Sequence, residues 1–309
     1  MLHEDKLFGI IPILLTPFLE SGAVDEESFR REVRFCLKAG AHGIVVPGMA
    51  SEVFYLTEVE RVRLVEISLE EVEGRIPVIA GVYGESVERA LESSKGLARL
   101  GIDAALVNAP HFCTASDTYL ERHFGEISSV LNVPIVLQNY PLPYGEALSA
   151  GQVRKLIERC ENIVYVKEET EPPGHHITEL LKECGSTGKL RGVFGGKTGR
   201  WMLDELSRGA CGNMPAAAWI DIHVKVFNLY TNGRENEARE LHGSMMQSIM
   251  PYQSLGRGYA KEILRLRGVF RTRVTRAPQL IALDEFDLRE TGEIYKKAPF
   301  CVGAELSDA

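Results

Sequence analysis

The chain has 309 residues, 45% of them hydrophobic and 25% charged, with a formal net charge of -8 at pH 7. That length holds one large α/β domain or two ordinary ones, and the acidic balance argues against nucleic acid, whose phosphates would be repelled. No apolar run reaches the ~18 residues of a membrane span, and the start Met1-Leu-His-Glu-Asp-Lys6 lacks the basic-then-apolar order of a signal peptide. A cytoplasmic protein without a membrane partner is the expectation.

In chain order, short apolar runs alternate with longer amphipathic stretches. A strand is expected at Gly9–Leu15 and a helix at Glu26–Ala39, then Gly43–Val46 with Glu58–Val72, and Val78–Val82 with Val87–Leu100. The pattern repeats at Ala104–Asn108 with Asp117–Val130, Ile135–Gln138 with Ser149–Arg159, and Ile163–Lys167 with Ile177–Cys184. It closes with Gly192–Gly195, the helix Gly199–Ser207, and a last strand at Gly212–Pro215. Strands that are continuously apolar, rather than alternating, belong to a parallel sheet covered on both faces. Eight such strands predict a (β/α)8 TIM barrel, with a doubly wound open sheet as the alternative. Helices are expected at Asp221–Tyr230, Glu235–Met250 and Tyr259–Arg267, then an irregular tail from Val274. The division is a barrel domain over 1–231 and a C-terminal helical extension over 232–309.

Catalytic groups of such a barrel stand at the C-terminal ends of strands. Lys167 ends the run Ile163-Val-Tyr-Val166, where a partly desolvated ammonium becomes a nucleophile toward carbonyls. The plainer reading is a lysine paired with Glu168 or Glu169, or one reaching water. Gly195-Gly-Lys-Thr198 suggests a phosphate loop, but Walker A needs glycine where Arg191 stands. A turn whose N–H groups bind a carboxylate or phosphate is the plainer alternative.

His175 and His176 are adjacent and diverge by roughly 100° on a helix, so no metal pair is read there. His111, on the catalytic rim, is a candidate for proton transfer. The six cysteines, Cys36, Cys113, Cys160, Cys184, Cys211 and Cys301, form no C-x-x-C pair and suggest neither zinc nor redox chemistry. Arg265, Arg267, Arg271, Arg273 and Arg276 read as a solvated face or a subunit contact. No metal or cofactor is indicated.

Thr16–Phe18, the stretch Gly48–Arg61 (GMASE…LTEVER), Pro77–Val82 and Asn162–Thr170 (NIVYVKEET) together resemble the dihydrodipicolinate synthase/N-acetylneuraminate lyase family of Schiff-base barrels. The similarity runs from about Gly9 to Pro278. It implies that Lys167 is the Schiff-base lysine and that the protein is a homo-oligomer, tetramer or dimer. The family's Gly-Thr-Thr-Gly-Glu turn is Gly48-Met-Ala-Ser-Glu52 here, so Met49, Ala50 and Ser51 are the expected carboxylate anchors, through backbone N–H groups and the Ser51 hydroxyl. The family's relay tyrosine on strand five is Gln138, the second relay tyrosine falls near Phe112, and the arginine of the synthases aligns with Pro143.

These departures point away from dihydrodipicolinate synthesis and sialic acid cleavage. Ser51–Thr57, Gln138 and Lys167–Thr170 resemble instead the branch that dehydrates 2-keto-3-deoxy sugar acids, such as 2-keto-3-deoxy-L-arabinonate. The expected activity is a Schiff-base lyase on a small 2-oxo acid. Pyruvate-releasing retro-aldol cleavage, a synthase-like condensation and a non-catalytic 2-oxo-acid-binding barrel are the alternatives. Glu169, His111, Tyr140, Tyr144 and a substrate carboxylate are candidates for the acid–base work. Gln138 joins Lys167, Glu169 and His111 as a catalytic candidate, and Asn139, Tyr140, Gly195 and Gly196 join the substrate-binding set.

Overall fold

A computed structural model describes residues 7–110, 114–141, 147–278 and 281–301. Its strands are β1 (Gly9–Ile10), β2 (Ile44–Val46), β3 (Val78–Val82), β4 (Ala104–Asn108), β5 (Ile135–Asn139), β6 (Ile163–Glu168), β7 (Gly192–Gly195) and β8 (Gly212–Asn213). Between them run α1 (Glu26–Lys38), α2 (Glu58–Val72), α3 (Val87–Ala98), α4 (Asp117–Val130), α5 (Ala150–Arg159), α6 (Pro173–Gly185) and α7 (Met202–Ser207). Then come α8 (Ile220–Thr231), α9 (Glu235–Leu266) and α10 (Glu285–Lys297). The sheet order is β1-β8-β7-β6-β5-β4-β3-β2, and the fold is the (β/α)8 barrel. Ile13 makes parallel bridges to both Val45 and Ala216. The first strand's continuation therefore lies between the second and the last, which an open doubly wound sheet does not allow.

Contacts group the chain into two units, Met1–Gly9 with Pro77–Met214, and Ile10–Ile76 with Pro215–Ala309. In the first, β3 to β8 pair in parallel, one after the next. Ile79, Leu106, Leu137, Val166 and Phe194 are buried, as continuous apolar runs require of strands covered on both sides. Helices start where a side chain can take an orphan N–H. Ser86, Ser116 and Ser149 each accept from the N–H three residues on. In the second unit Asp25 and Thr57 do the same for α1 and α2.

Several expectations shift. The regular first strand stops at Ile10 and the last at Asn213; Pro12 and Pro215 offer no N–H to the ladder, and pairing resumes beyond them as isolated bridges of Ile13 to Val45 and Ala216. The sixth helix begins earlier than expected, at Pro173, a residue type that suits the first helical turn. The helices expected at Glu235–Met250 and Tyr259–Arg267 are one run, α9, interrupted at Gly256, whose φ of 65° is left-handed. The tail from Val274 is not wholly irregular: it holds α10, started by Asp284, whose carboxylate accepts from Phe286 and Asp287 N–H.

The arginine cluster also divides. Arg271 and Arg273 are well exposed, but Arg267 is only 2% exposed and grips the Asp221 carboxylate through two nitrogens at 3.0 and 2.7 Å. Its guanidinium also lies against the Phe35 ring, 4.6 Å from the centroid. Removing one partner of a buried pair strands the other charge, at a cost of about 3–5 kcal/mol. Asp221→Ala should therefore lose stability on that scale in chemical denaturation, and a loss under ~1 kcal/mol would show that the pair contributes little.

Candidate active site

Strand register builds the site. Asn108 on β4 pairs with Gln138 on β5, and Gln138 pairs with Lys167 on β6. Residues that pair across neighbouring strands share a face, and residues two apart along a strand return to it. Lys167 and Glu169 therefore face one way and Glu168 the other. Asn139 pairs with Glu168 and shares that opposite face, on which the helices pack.

On the first face Lys167 Nζ lies 3.0 Å from Glu169 Oε2, with side chains only 4% and 7% exposed. The Gln138 amide donates to the same Oε2, and its carbonyl accepts from Asn108 Nδ2 at 3.0 Å. The other carboxylate oxygen, Oε1, accepts the Lys197 backbone N–H at 3.0 Å. Burial pushes the Glu169 carboxyl up, but the Lys167 charge and the hydrogen bonds from Lys197 and Gln138 outweigh it and hold the group below its ordinary range. Glu169 is thus an anion at neutral pH, in contact with the amine.

The loop after β7 is shaped by two carboxylates. A side chain at Gly196 would strike Glu169, and one at Gly195 would strike Glu205. Lys197 and Thr198 then both take left-handed φ, 49° and 55°, a conformation costing L-residues of order 1 kcal/mol or more each. That turn is what aims the Lys197 N–H at Glu169. Burial pushes the Glu205 carboxyl up to about 8, with Asn213 donating to it and the Glu169 charge opposing its ionisation. The Asn213 contact is 2.7 Å.

The remaining expected residues fall as follows. Asn139 spends its amide on Leu148 N–H and C=O, at 2.8 and 2.9 Å, and on Glu168 at 2.8 Å. The Tyr140 ring carries Lys197 Nζ 4.8 Å from its centroid. His111, Phe112, Cys113, Pro143 and Tyr144 lie outside the described residues. In the other unit, Met49–Ser51 form a single 3₁₀ turn. The Ser51 hydroxyl donates to Leu14 C=O and accepts from Gly48 N–H, so it is committed within the turn. The Met49 carbonyl is held by Arg257 at 2.9 Å, and Glu52 is paired with fully buried Lys261. Sequence reasoning missed Asn108, Glu205 and Asn213. Counting strand ends could have found Asn108, which closes its strand as Gln138 and Lys167 nearly close theirs.

A lysine amine and an anionic carboxylate, in contact at the ends of parallel strands, suit carbonyl chemistry. The chain matches the Dihydrodipicolinate synthetase family over residues 6–296. It belongs to that family. A 4-hydroxy-tetrahydrodipicolinate synthase of Methanococcus maripaludis (strain C6) is 31% identical over 236 residues, which cover 76% of this chain and 79% of the relative. The solved 4-hydroxy-tetrahydrodipicolinate synthase of Methylacidiphilum fumariolicum SolV superposes with a TM-score of 0.86 at 26% identity, covering 95% of this chain and 96% of that one. The dihydrodipicolinate synthase of Thermotoga maritima gives 0.87 at 25% identity, with 95% and 99% covered. Like other members of the dihydrodipicolinate synthetase family, the protein is a lyase. Among the described residues no helix is long and apolar enough to cross a membrane.

Glu205 supplies a stability test. Its folded value of about 8 stands above the ordinary carboxylate value of 4.5, so between those limits the folded protein holds a proton that the unfolded chain has lost. Stability from this group is present at low pH and falls as pH rises through that window. Glu205→Gln, which keeps an acceptor for Asn213, should flatten the decline between pH 5 and 8 by on the order of a few kcal/mol in denaturation series. Parallel profiles for the two proteins would show that Glu205 is already ionised when folded.

Proposed function

We propose that the protein is a Schiff-base lyase that removes water from a 2-keto-3-deoxy sugar acid, 2-keto-3-deoxy-L-arabinonate being a representative substrate. The observation that carries this reading is the contact between Lys167 and Glu169, 3.0 Å. Glu169 takes a proton from the Lys167 ammonium, the freed amine adds to the C2 carbonyl, and the returned proton lets the former carbonyl oxygen leave as water, so that an iminium forms. The ammonium's three N–H groups become one, so Glu169 Oε2 loses a donor and gains freedom to act as a base. The nearest acidic hydrogen is on C3, two bonds from that nitrogen. Glu169 takes it and an enamine forms.

The enamine then expels the C4 hydroxyl, and Glu169 returns the proton to it, so that water leaves. Hydrolysis of the conjugated iminium regenerates the lysine. One carboxylate both takes and gives the proton, and no phenol is required. Gln138, an amide without proton chemistry near neutral pH, serves as a donor that steers Glu169. Retro-aldol cleavage instead needs a base that takes the proton of the C4 hydroxyl, a task that Gln138, an amide where the resembling aldolases carry a phenol, does not perform.

For the substrate carboxylate we retain the turn Met49–Ser51. Its Met49 and Ala50 N–H groups have no partner among the described residues, which favours them over the committed Ser51 hydroxyl. Gly195, Gly196, Asn139 and Tyr140 remain proposed as binding or framing residues, and a homo-oligomer, dimer or tetramer, remains the expected assembly.

The test has two parts. Borohydride reduction with pyruvate should fix an adduct on Lys167, seen by intact mass and peptide mapping, and Lys167→Ala should abolish it. Glu169→Gln should still form the adduct but lose about 10²- to 10⁴-fold in kcat, the usual worth of a placed acid–base group. Product analysis with the sugar acid should give the dehydrated acid. Stoichiometric pyruvate plus an aldehyde would place the protein among aldolases, and condensation of pyruvate with an aldehyde, among synthases.

A further inference from the structure

The chain of hydrogen bonds that ends on Glu169 begins on β4, at Asn108. This residue is 6% exposed and stands in the same row as Gln138 and Lys167. The direction of both amides follows from the charge on Glu169. An ionised carboxylate only accepts hydrogen bonds, so Gln138 must turn its NH2 toward Glu169 and its carbonyl toward β4. That carbonyl needs a donor, so Asn108 must present its own NH2, at 3.0 Å. One atom is left over. Asn108 Oδ1 is buried and has no hydrogen-bond partner among the described residues.

A buried acceptor without a donor is costly, and the neighbours along β4, Ala104–Val107, show that an apolar residue would be the ordinary occupant of this strand. Steering Gln138 explains the NH2 of Asn108 but not its carbonyl. Adjacent strands lie about 4.8 Å apart, so Asn108 stands on the order of 10 Å from Lys167 along the row. A pyruvate joined to Lys167 ends at C3 and falls short of it. A longer 2-oxo acid, its C3 at Glu169, carries its next carbons and their hydroxyls along that row.

We infer that Asn108 is a specificity-determining residue whose Oδ1 accepts a hydrogen bond from a hydroxyl on C4 or beyond of the substrate. It thereby selects polyhydroxylated 2-oxo acids over pyruvate-sized ones. The inference rests on the reading of Lys167 as the imine-forming residue and adds the part of the site that recognises the rest of the substrate. Its selectivity has the form in which a site built around a buried polar group discriminates best, by leaving that group unpaired when the wrong ligand binds.

The experiment compares two ligands in one set of proteins. Borohydride trapping with pyruvate reports the Lys167 end of the site, and turnover of 2-keto-3-deoxy-L-arabinonate reports the whole. Asn108→Ala should lose about 10- to 100-fold in kcat/KM on the sugar acid, and at least tenfold less in its rate of trapping with pyruvate. Asn108→Ser, which keeps a smaller acceptor, should recover part of the difference. Equal losses on both ligands would reduce Asn108 to a support for Gln138 and overturn the inference, as would no loss on either. Absence of any pyruvate adduct at Lys167 in the unaltered protein would overturn the Lys167 reading, and this inference with it; a normal adduct with no change in preference would sink the inference alone.

Discussion

Two opposite charges, Lys167 and Glu169, face each other at 3.0 Å with almost no access to water. Bringing two such ions out of water costs several kcal/mol each, and their attraction repays it only when the remaining hydrogen-bonding capacity is filled. The surrounding backbone and side chains are arranged to that end. Gln138 and Lys197 N–H supply donors to the carboxylate, and Lys197 can do so only because the loop turns through two left-handed residues. Glycine at 196 leaves room for the carboxylate itself. The strain in that loop is the counterpart of a charge that must stay ionised in a dry place.

The second carboxyl near that loop is kept in the opposite state. Glu205 sits on the helix side of β7 and is buried among Asn213, Gly195 and the Gly196 backbone. The Glu169 charge adds to burial in keeping its proton on. One carboxylate is stabilised by an adjacent cation, the other is neutralised, and the loop between them is held from both sides. Separating two like groups by environment is how a site assigns distinct proton states to them at one pH. Here only the charged one faces the amine.

Much of this was legible in the sequence because the parallel barrel writes itself in apolar runs. The β3, β4 and β7 limits agree with the expected ones to the residue. Strand alternation alone also decides which glutamate partners Lys167, since Glu169 lies two residues on and Glu168 does not. What escaped depends on contacts between distant segments. No periodicity reveals that Arg267 meets Asp221, or that Glu205 on α7 meets Asn213 on β8. α10 escaped for a different reason: its thirteen residues bury only Thr291, so no strong apolar stripe marks it. Asn108 was hidden by its plainness, one polar residue ending an otherwise apolar strand.

The C-terminal helices hold the turn at Met49–Glu52 from outside. Glu52 takes a left-handed φ of 60°, and its carboxylate is claimed by Lys261 Nζ and by the N–H groups of Arg276 and Ala277. Arg257, one turn before Lys261 on α9, holds the Met49 carbonyl. The Lys261 amine, drawn down to about 8 by burial but supported by Glu52, and the Arg257 guanidinium thus fix both ends of a four-residue turn. Ser51 closes it from within by linking Gly48 N–H to Leu14 C=O. With its shape fixed from outside and within, the turn presents the Met49 and Ala50 N–H groups whatever side chains those positions bear. The donors of this turn are backbone groups, and the helices that follow the barrel hold that backbone in place.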